Sequence, residues 1–125
     1  MDAQELILDH YHHPKNHGAL DAPTHQATSS NLSCGDSLSV DIAVKNGIIE
    51  AIGWDGTGCA LSQASASIIS EYVLGKTIEE TRDISKETLL SLLGISPSPT
   101  RLKCTLLSIE TIHRALSKDG VKKEG

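Results

Sequence analysis

The 125-residue sequence contains no phenylalanine, one tryptophan and two tyrosines, so its core cannot rest on aromatic side chains. Leu, Ile, Val and Ala must fill it, and a chain of this length buries enough of them to form one domain without a metal or disulfide. No apolar run approaches the ~20 residues that span a bilayer, and the first residues lack the basic and apolar stretches of a targeting segment. We therefore predict one domain over 1–117, a flexible charged tail at 118–125, no membrane partner and a cytoplasmic location.

Positive charge is also scarce: the sequence has 11 Lys and Arg residues and 16 Asp and Glu residues, which gives a net charge of −5. This balance argues against a nucleic-acid partner, which normally requires a basic surface. The three cysteines are an odd number, which argues against an evenly paired disulfide framework. In a reducing compartment such cysteines are more often buried, metal-bound or reactive.

Hydrophobic periodicity predicts a small antiparallel sheet and several helices. Apolar residues alternate with polar ones over 37–45, Asn46-Gly47 follows as a hairpin turn, and 48–54 returns as the partner strand, with Trp54 at its end. An edge strand is predicted near 25–30. Helical spacing and capping residues predict helices over 2–13, 61–74, a short stretch after Thr77, 86–93 and about 100–117.

Each cysteine stands at a junction between predicted elements. Cys34 precedes the alternating strand, Cys59 ends a Gly-Thr-Gly-Cys segment, and Cys104 falls in the first turns of the last helix, where free amides and the helix dipole favour thiolate. With Asp36, they form a set of three thiolates and one carboxylate that suits zinc or iron. The long intervals between them equally allow three unrelated buried cysteines, so spacing alone leaves both interpretations open.

Four segments, at 11–18, 31–36, 56–65 and 101–104, resemble in order the motifs of the U-type iron–sulfur cluster assembly proteins, a family that includes IscU, SufU and the N-terminal domain of NifU. The similarity extends over about 6–117. The resemblance implies an α+β fold, with a small three-stranded antiparallel sheet packed against helices.

The resemblance also implies that Cys34, Asp36, Cys59 and Cys104 meet at one exposed end of the fold, around zinc, iron or a [2Fe–2S] cluster. It implies a cysteine desulfurase of the SufS, IscS or NifS type as sulfur donor, with Cys34 and Cys104 as candidate sulfur acceptors. A downstream iron–sulfur carrier or apo-protein would receive the product. We expect a monomer or weak dimer, and a scaffold or sulfur acceptor rather than a turnover enzyme.

Two departures bear on the subtype. Lys103 precedes the third cysteine at a position where IscU-type proteins carry histidine, and lysine at this position is typical of SufU. SufU-type proteins usually also have an insertion between the second and third cysteines, and this sequence lacks it. We therefore interpret the site as SufU-like. We expect the positive charge of Lys103 to stabilise the cysteine thiolates of the site. We expect Arg101 to pair with Asp36 or with a carboxylate of a partner.

Three functions remain open from the sequence: an iron–sulfur scaffold, a zinc-dependent sulfur-transfer partner of the desulfurase, and a structural zinc protein that acts only as an interaction module. The histidines at 10, 12, 13 and 17 are interpreted as surface or packing residues rather than ligands, and His113 as a satisfied core or partner residue.

Overall fold

A computed structural model gives the fold and describes residues 2–31 and 35–117. Five helices and three strands follow one another along the chain: α1 (Ala3–His12), β1 (His25–Asn31), β2 (Asp36–Lys45), β3 (Ile48–Thr57), α2 (Ala60–Val73), α3 (Ile78–Arg82), α4 (Lys86–Leu93) and α5 (Pro99–Ser117). No helix within the described ranges is both long and apolar enough to span a bilayer. The division into a domain at 1–117 and a tail stays a prediction, and 118–125 lies outside the described residues.

The three strands form one antiparallel sheet in the order β1-β2-β3. Asn46 and Gly47 connect β2 to β3 with φ values of 57° and 77°, as the type I′ turn requires. Leu38, Val40 and Ile42 are buried on one face of β2, and α5 and α2 pack against the sheet. The predicted α+β fold with a three-stranded antiparallel sheet is confirmed.

Local capping chemistry sets the helix ends. The side chains of Asp2, Thr77 and Ser85 each accept a hydrogen bond from the backbone three residues ahead, so α1, α3 and α4 begin where the caps predict. Gly94 ends α4 in the left-handed conformation, with a φ of 74°. The start of α5 includes Pro99 because the first turn of a helix needs no amide donor there.

One boundary differs from the prediction by more than one residue. β3 was expected to end at Trp54 but continues to Thr57, since Gly56 pairs with Leu38 of β2. Trp54 therefore lies inside the strand opposite Val40, 2% exposed, and not at its end. The longer strand carries the chain directly to the loop that holds Cys59.

The segment at 11–18 follows the outer edge of β3. Gly18 N–H donates to Trp54 O at 2.7 Å, and Trp54 N–H donates to Asn16 O at 3.1 Å. The Trp54 indole N–H donates to Lys15 O at 2.8 Å, and Lys15 N–H donates to Ser67 Oγ on α2 at 2.7 Å. The segment thus covers the β3 edge and ties it to α2.

The histidines near this segment have packing or surface positions. His10 is 7% exposed, and its Nδ1 lies 2.7 Å from Ser67 Oγ. His17 Nε2 lies 3.2 Å from Asp55 Oδ1 at the surface. On α5, His113 Nε2 lies 3.1 Å from Thr81 O.

Candidate metal centre

Three elements bring potential metal ligands to one end of the sheet. Asp36 is the first residue of β2, Cys59 directly precedes α2 after the end of β3, and Cys104 lies on α5. A carboxylate oxygen of Asp36 and the two sulfurs all lie within 4.8 Å of one another. Asp36 and Cys104 are buried, at 2% and 3% exposed, while Cys59 is partly exposed. The cluster can therefore be reached from solvent on the Cys59 side.

Asp36 is held in place by backbone on two sides. Its Cα pairs with Asn31 at the end of β1, and its Oδ1 accepts the Cys59 N–H at 3.2 Å. Gly58 has a φ of 156° and stands directly against the carboxylate, where a Cβ would lie 2.8 Å from Asp36 Cγ. Only glycine leaves room at this position, which explains part of the Gly-Thr-Gly-Cys segment.

Cys59 is the N-cap of α2, with φ −73° and ψ 167°. Its sulfur accepts the Ser62 N–H at 3.4 Å, in the role that a Ser or Asp oxygen usually plays. The free amides and dipole at a helix N-terminus stabilise negative charge. Gln63 Nε2 also donates to Gly58 O at 3.3 Å, which fixes the approach of the loop to the helix.

Cys104 lies in the first turns of α5, as predicted, but not at the helix terminus itself. It is the sixth residue of α5, beyond the four residues whose amides lack an intrahelical acceptor. Its sulfur lies 3.9 Å from Thr100 O, one turn earlier. The helix-terminal cysteine in this cluster is Cys59, because α5 already begins at Pro99.

The other predicted site residues divide into two groups. Cys34 lies outside the described residues, so its place as the fourth ligand stays a prediction. Arg101 and Lys103 are both exposed on α5 beside Cys104. Lys103 lines an open groove of about 520 Å³ together with Ser30 of β1. Their proposed electrostatic roles also remain predictions.

The donor set fits a transition metal. Two thiols and a carboxylate match the sulfur and oxygen ligands of tetrahedral zinc and of iron, and Cys34 would supply a third thiol. The hydrogen bond from the Cys59 amide orients the Asp36 carboxylate. Metal ligands in proteins are commonly oriented by hydrogen bonds of this kind. The sequence could not reveal this contact, since it depends on the approach of β2 to the loop after β3.

Comparisons with known proteins place the chain in a family. The family described as the NifU-like N terminal domain matches residues 2–124. The iron–sulfur cluster assembly scaffold protein IscU of Thermotoga maritima is 33% identical over 136 residues, which cover 94% of this chain and 94% of that protein. The zinc-dependent sulfurtransferase SufU of Bacillus subtilis is 29% identical over 133 residues, covering 93% and 90%.

A solved structure supports the same relationship. The crystal structure of a putative iron–sulfur cluster assembly scaffold protein for the SUF system from Fervidobacterium islandicum matches with a TM-score of 0.77 and 27% identity, covering 90% of this chain and 94% of that one. The resemblance found in the sequence is confirmed. The chain belongs to the NifU-like N-terminal domain family.

Proposed function

We propose that this chain is an iron–sulfur cluster assembly protein that accepts sulfur from a cysteine desulfurase. It holds metal or a nascent [2Fe–2S] cluster between Cys34, Asp36, Cys59 and Cys104. The observation that carries the proposal is the convergence of the Asp36, Cys59 and Cys104 donor atoms within 4.8 Å at one end of the sheet. Relatives named as IscU scaffolds and as a SufU sulfurtransferase support it.

Sulfur transfer requires a thiolate of this chain to attack the outer sulfur of a persulfide on the desulfurase cysteine. An S–S bond forms on the acceptor as the original S–S bond breaks, and the desulfurase cysteine leaves as a thiolate. The persulfide changes carrier with no net oxidation or reduction. We assign the acceptor role to Cys34 or Cys104; because Cys104 is only 3% exposed, sulfur reaches it only when the site opens.

The surrounding residues prepare the site for exchange. Zinc or iron, when bound, keeps its cysteine ligands deprotonated. Asp36 supplies a harder ligand than thiolate, so the site should release its cargo more readily than a four-thiolate site would. Lys103 adds an exposed positive charge next to Cys104. We place the protein in the cytoplasm, between the desulfurase and a downstream carrier or apo-protein.

A second candidate is a zinc-dependent sulfur relay, favoured by the similarity to the Bacillus subtilis sulfurtransferase and by Lys103. Metal analysis of protein purified without oxygen, followed by anaerobic reconstitution with iron and sulfide, separates the two. A stable chromophore with two irons per one or two chains supports the scaffold. Tightly held zinc that prevents cluster formation supports the relay, and protein that takes up neither excludes both.

The sulfur step is tested with a desulfurase and cysteine, by measuring the mass of one added sulfur atom on this chain. Cys34→Ala or Cys104→Ala should abolish sulfur acceptance, whereas Cys59→Ala should lose metal while still accepting sulfur. Normal acceptance by both the Cys34 and the Cys104 variant would overturn the assignment.

For a purely structural zinc module, chelation would unfold the chain. Circular dichroism that is unchanged after zinc removal counts against that alternative.

A further inference from the structure

Ser62 is a buried serine in the first turn of α2, next to the proposed metal ligand Cys59. It is 5% exposed, and it stands three positions after Cys59, the N-cap of the helix. Its backbone N–H donates to the Cys59 sulfur at 3.4 Å. This contact fixes where Ser62 lies relative to the sulfur, but it does not involve the hydroxyl group of the side chain.

The Ser62 hydroxyl has no hydrogen-bond partner among the residues that the structure describes. Every other buried serine and threonine side chain in the same part of the chain takes part in a hydrogen bond. Ser65, one turn further along α2, donates to Leu61 O at 2.7 Å, for example. A buried hydroxyl without a partner destabilises a fold, so its presence at Ser62 calls for an explanation.

The start of α4 shows that a hydroxyl at this helix position reaches the capping side chain. Ser85 caps α4 with φ −91° and ψ 166°, close to the −73° and 167° of Cys59. Thr88 donates its N–H to Ser85 Oγ at 3.1 Å, and its own Oγ1 lies 3.1 Å from the same atom. Cys59 and Ser62 have the same spacing and the same backbone contact. A change of the Ser62 χ1 rotamer therefore brings its hydroxyl to the Cys59 sulfur.

We propose that Ser62 is a positioning residue of the metal centre, whose hydroxyl donates a hydrogen bond to the Cys59 thiolate when metal or a cluster is bound. This inference rests on the proposed function, since it requires a ligated thiolate at Cys59. A neutral thiol is a weak acceptor, which explains why the hydroxyl has no partner in the metal-free chain. A thiolate carries a full charge and accepts a stronger bond. The amide and the hydroxyl of Ser62 then both donate to the same sulfur and fix its direction.

The hydroxyl should act on the metal centre in two ways. It stabilises the negative charge of the ligated sulfur, so metal binds more tightly when it is present. It also withdraws electron density from the sulfur, as hydrogen bonds to the sulfurs of metal centres do, and this raises the energy of charge transfer from sulfur to metal. In the metal-free chain the hydroxyl contributes no hydrogen bond, so its removal should not destabilise the fold. A serine with a purely structural role would behave in the opposite way.

Two variants and a matched control of the full chain test this role. Ser62→Ala removes the hydroxyl, and Ser62→Thr keeps one, on the side chain that Thr88 carries at the same position of α4. Ser65→Ala is the control, because it removes a second buried serine hydroxyl of α2 whose bond goes to Leu61 O. Competition with a chromophoric chelator gives the zinc affinity, and absorption of cobalt-loaded protein gives the sulfur-to-cobalt charge-transfer band. Urea unfolding gives the stability of the metal-free chain.

Ser62→Ala should bind zinc about tenfold more weakly and shift the cobalt band to longer wavelength. Its metal-free form should unfold at the same urea concentration as the wild type or at a higher one. Ser62→Thr and Ser65→Ala should keep the wild-type affinity and band. An unchanged affinity in Ser62→Ala overturns the proposal, as does equal weakening in Ser65→Ala or a loss of metal-free stability in Ser62→Ala. A folded Ser62→Thr variant that binds as weakly as Ser62→Ala also overturns it.

These results are distinct from a failure of the proposed function. A wild-type chain that binds neither zinc nor cobalt overturns both proposals, because Cys59 then has no metal to ligate. A wild-type chain that binds metal, together with a Ser62→Ala variant that behaves like Ser65→Ala, overturns only the role of Ser62 and leaves the proposed ligand set intact.

Discussion

Gly58 stands against Asp36 so closely that a Cβ at position 58 would lie 2.8 Å from the Asp36 Cγ. Real Cβ contacts do not approach this near, so a side chain at Gly58 must displace the carboxylate. The same carboxylate accepts the hydrogen bond of the Cys59 amide. The glycine therefore sets the position of one proposed ligand relative to the next.

Gly58→Ala should weaken zinc binding about 10–100-fold, as loss of a ligand-orienting contact commonly does. The cause is displacement of Asp36 from the two cysteines. Gly47→Ala is the matched control, because Gly47 has a φ of 77° but no atom near its Cβ position. It should cost stability, about 1–2 kcal/mol from the left-handed conformation, and leave zinc affinity unchanged. Competition with a chromophoric chelator measures the affinity, and equal affinities in the two variants would contradict the assignment of Asp36.

Asp36→Cys should slow the release of bound zinc or cluster. The change replaces the harder carboxylate with a fourth thiolate, which binds zinc and iron–sulfur clusters more firmly, and the smaller side chain fits beside Gly58. The measurement is the rate of transfer to a chelator or to an apo-acceptor protein.

Ser37→Cys is the control for this change, since the Ser37 hydroxyl contacts Thr57 Oγ1 at 3.1 Å, away from the cluster. It adds a thiol one residue from the site and should leave the release rate unchanged. An Asp36→Cys variant that releases its cargo as fast as the wild type would show that Asp36 does not set the lability.

The two described cysteines should differ in reactivity. In chelator-treated protein, iodoacetamide should modify Cys59 before Cys104, because Cys59 is partly exposed and Cys104 is 3% exposed. Peptide mass spectrometry at early times gives the two rates, and urea-unfolded protein, in which the rates should converge, is the control. Faster modification of Cys104 in the folded chain would mean that the site opens on the α5 side.

Local patterns in the sequence were sufficient to predict most of the fold. The alternation over β2, the Asn46-Gly47 turn and the caps at Thr77 and Ser85 depend on neighbouring residues only, and all appear in the structure. The predicted β3 ends too early because glycine is depleted in strands, whereas pairing of Gly56 with Leu38 keeps the chain extended to Thr57. Tertiary pairing here outweighed local propensity.

The candidate site was predictable in composition but not in geometry. The resemblance pointed to Asp36, Cys59 and Cys104, and the structure brings these three together. The position of Cys59 as the N-cap of α2 was not predictable, since cysteine is not a usual N-cap residue. The open groove lined by Lys103 and Ser30 likewise depends on how α5 lies on β1.

Ser67 links the segment at 11–18 to α2, and its removal should destabilise the fold. Ser67 Oγ accepts the Lys15 N–H and lies 2.7 Å from His10 Nδ1, and the hydroxyl is buried. Ser67→Ala leaves both groups without this partner, at a cost of about 1–3 kcal/mol. Urea unfolding measures the loss, with Ser91→Ala on the exposed face of α4 as a near-neutral control. A loss no larger than that of the control would mean that the segment is held without this contact.

Glu80 gives the fold a pH dependence whose sign follows from its hydrogen bonds. The Thr77 backbone N–H donates to the Glu80 carboxylate at 2.9 Å, and this bond lowers the pKa of Glu80 below its ordinary value. A lowered pKa means that the unfolded chain binds the proton more tightly. The resulting stability is present above the ordinary carboxyl pKa and is lost as the pH falls through the lowered one.

Glu80→Gln should remove this part of the acid sensitivity, while Glu79→Gln, with no such hydrogen bond, should keep it. Thermal unfolding between neutral and acidic pH measures the difference; parallel curves for wild type and Glu80→Gln would show that the capping box at Thr77 does not favour the charged carboxylate.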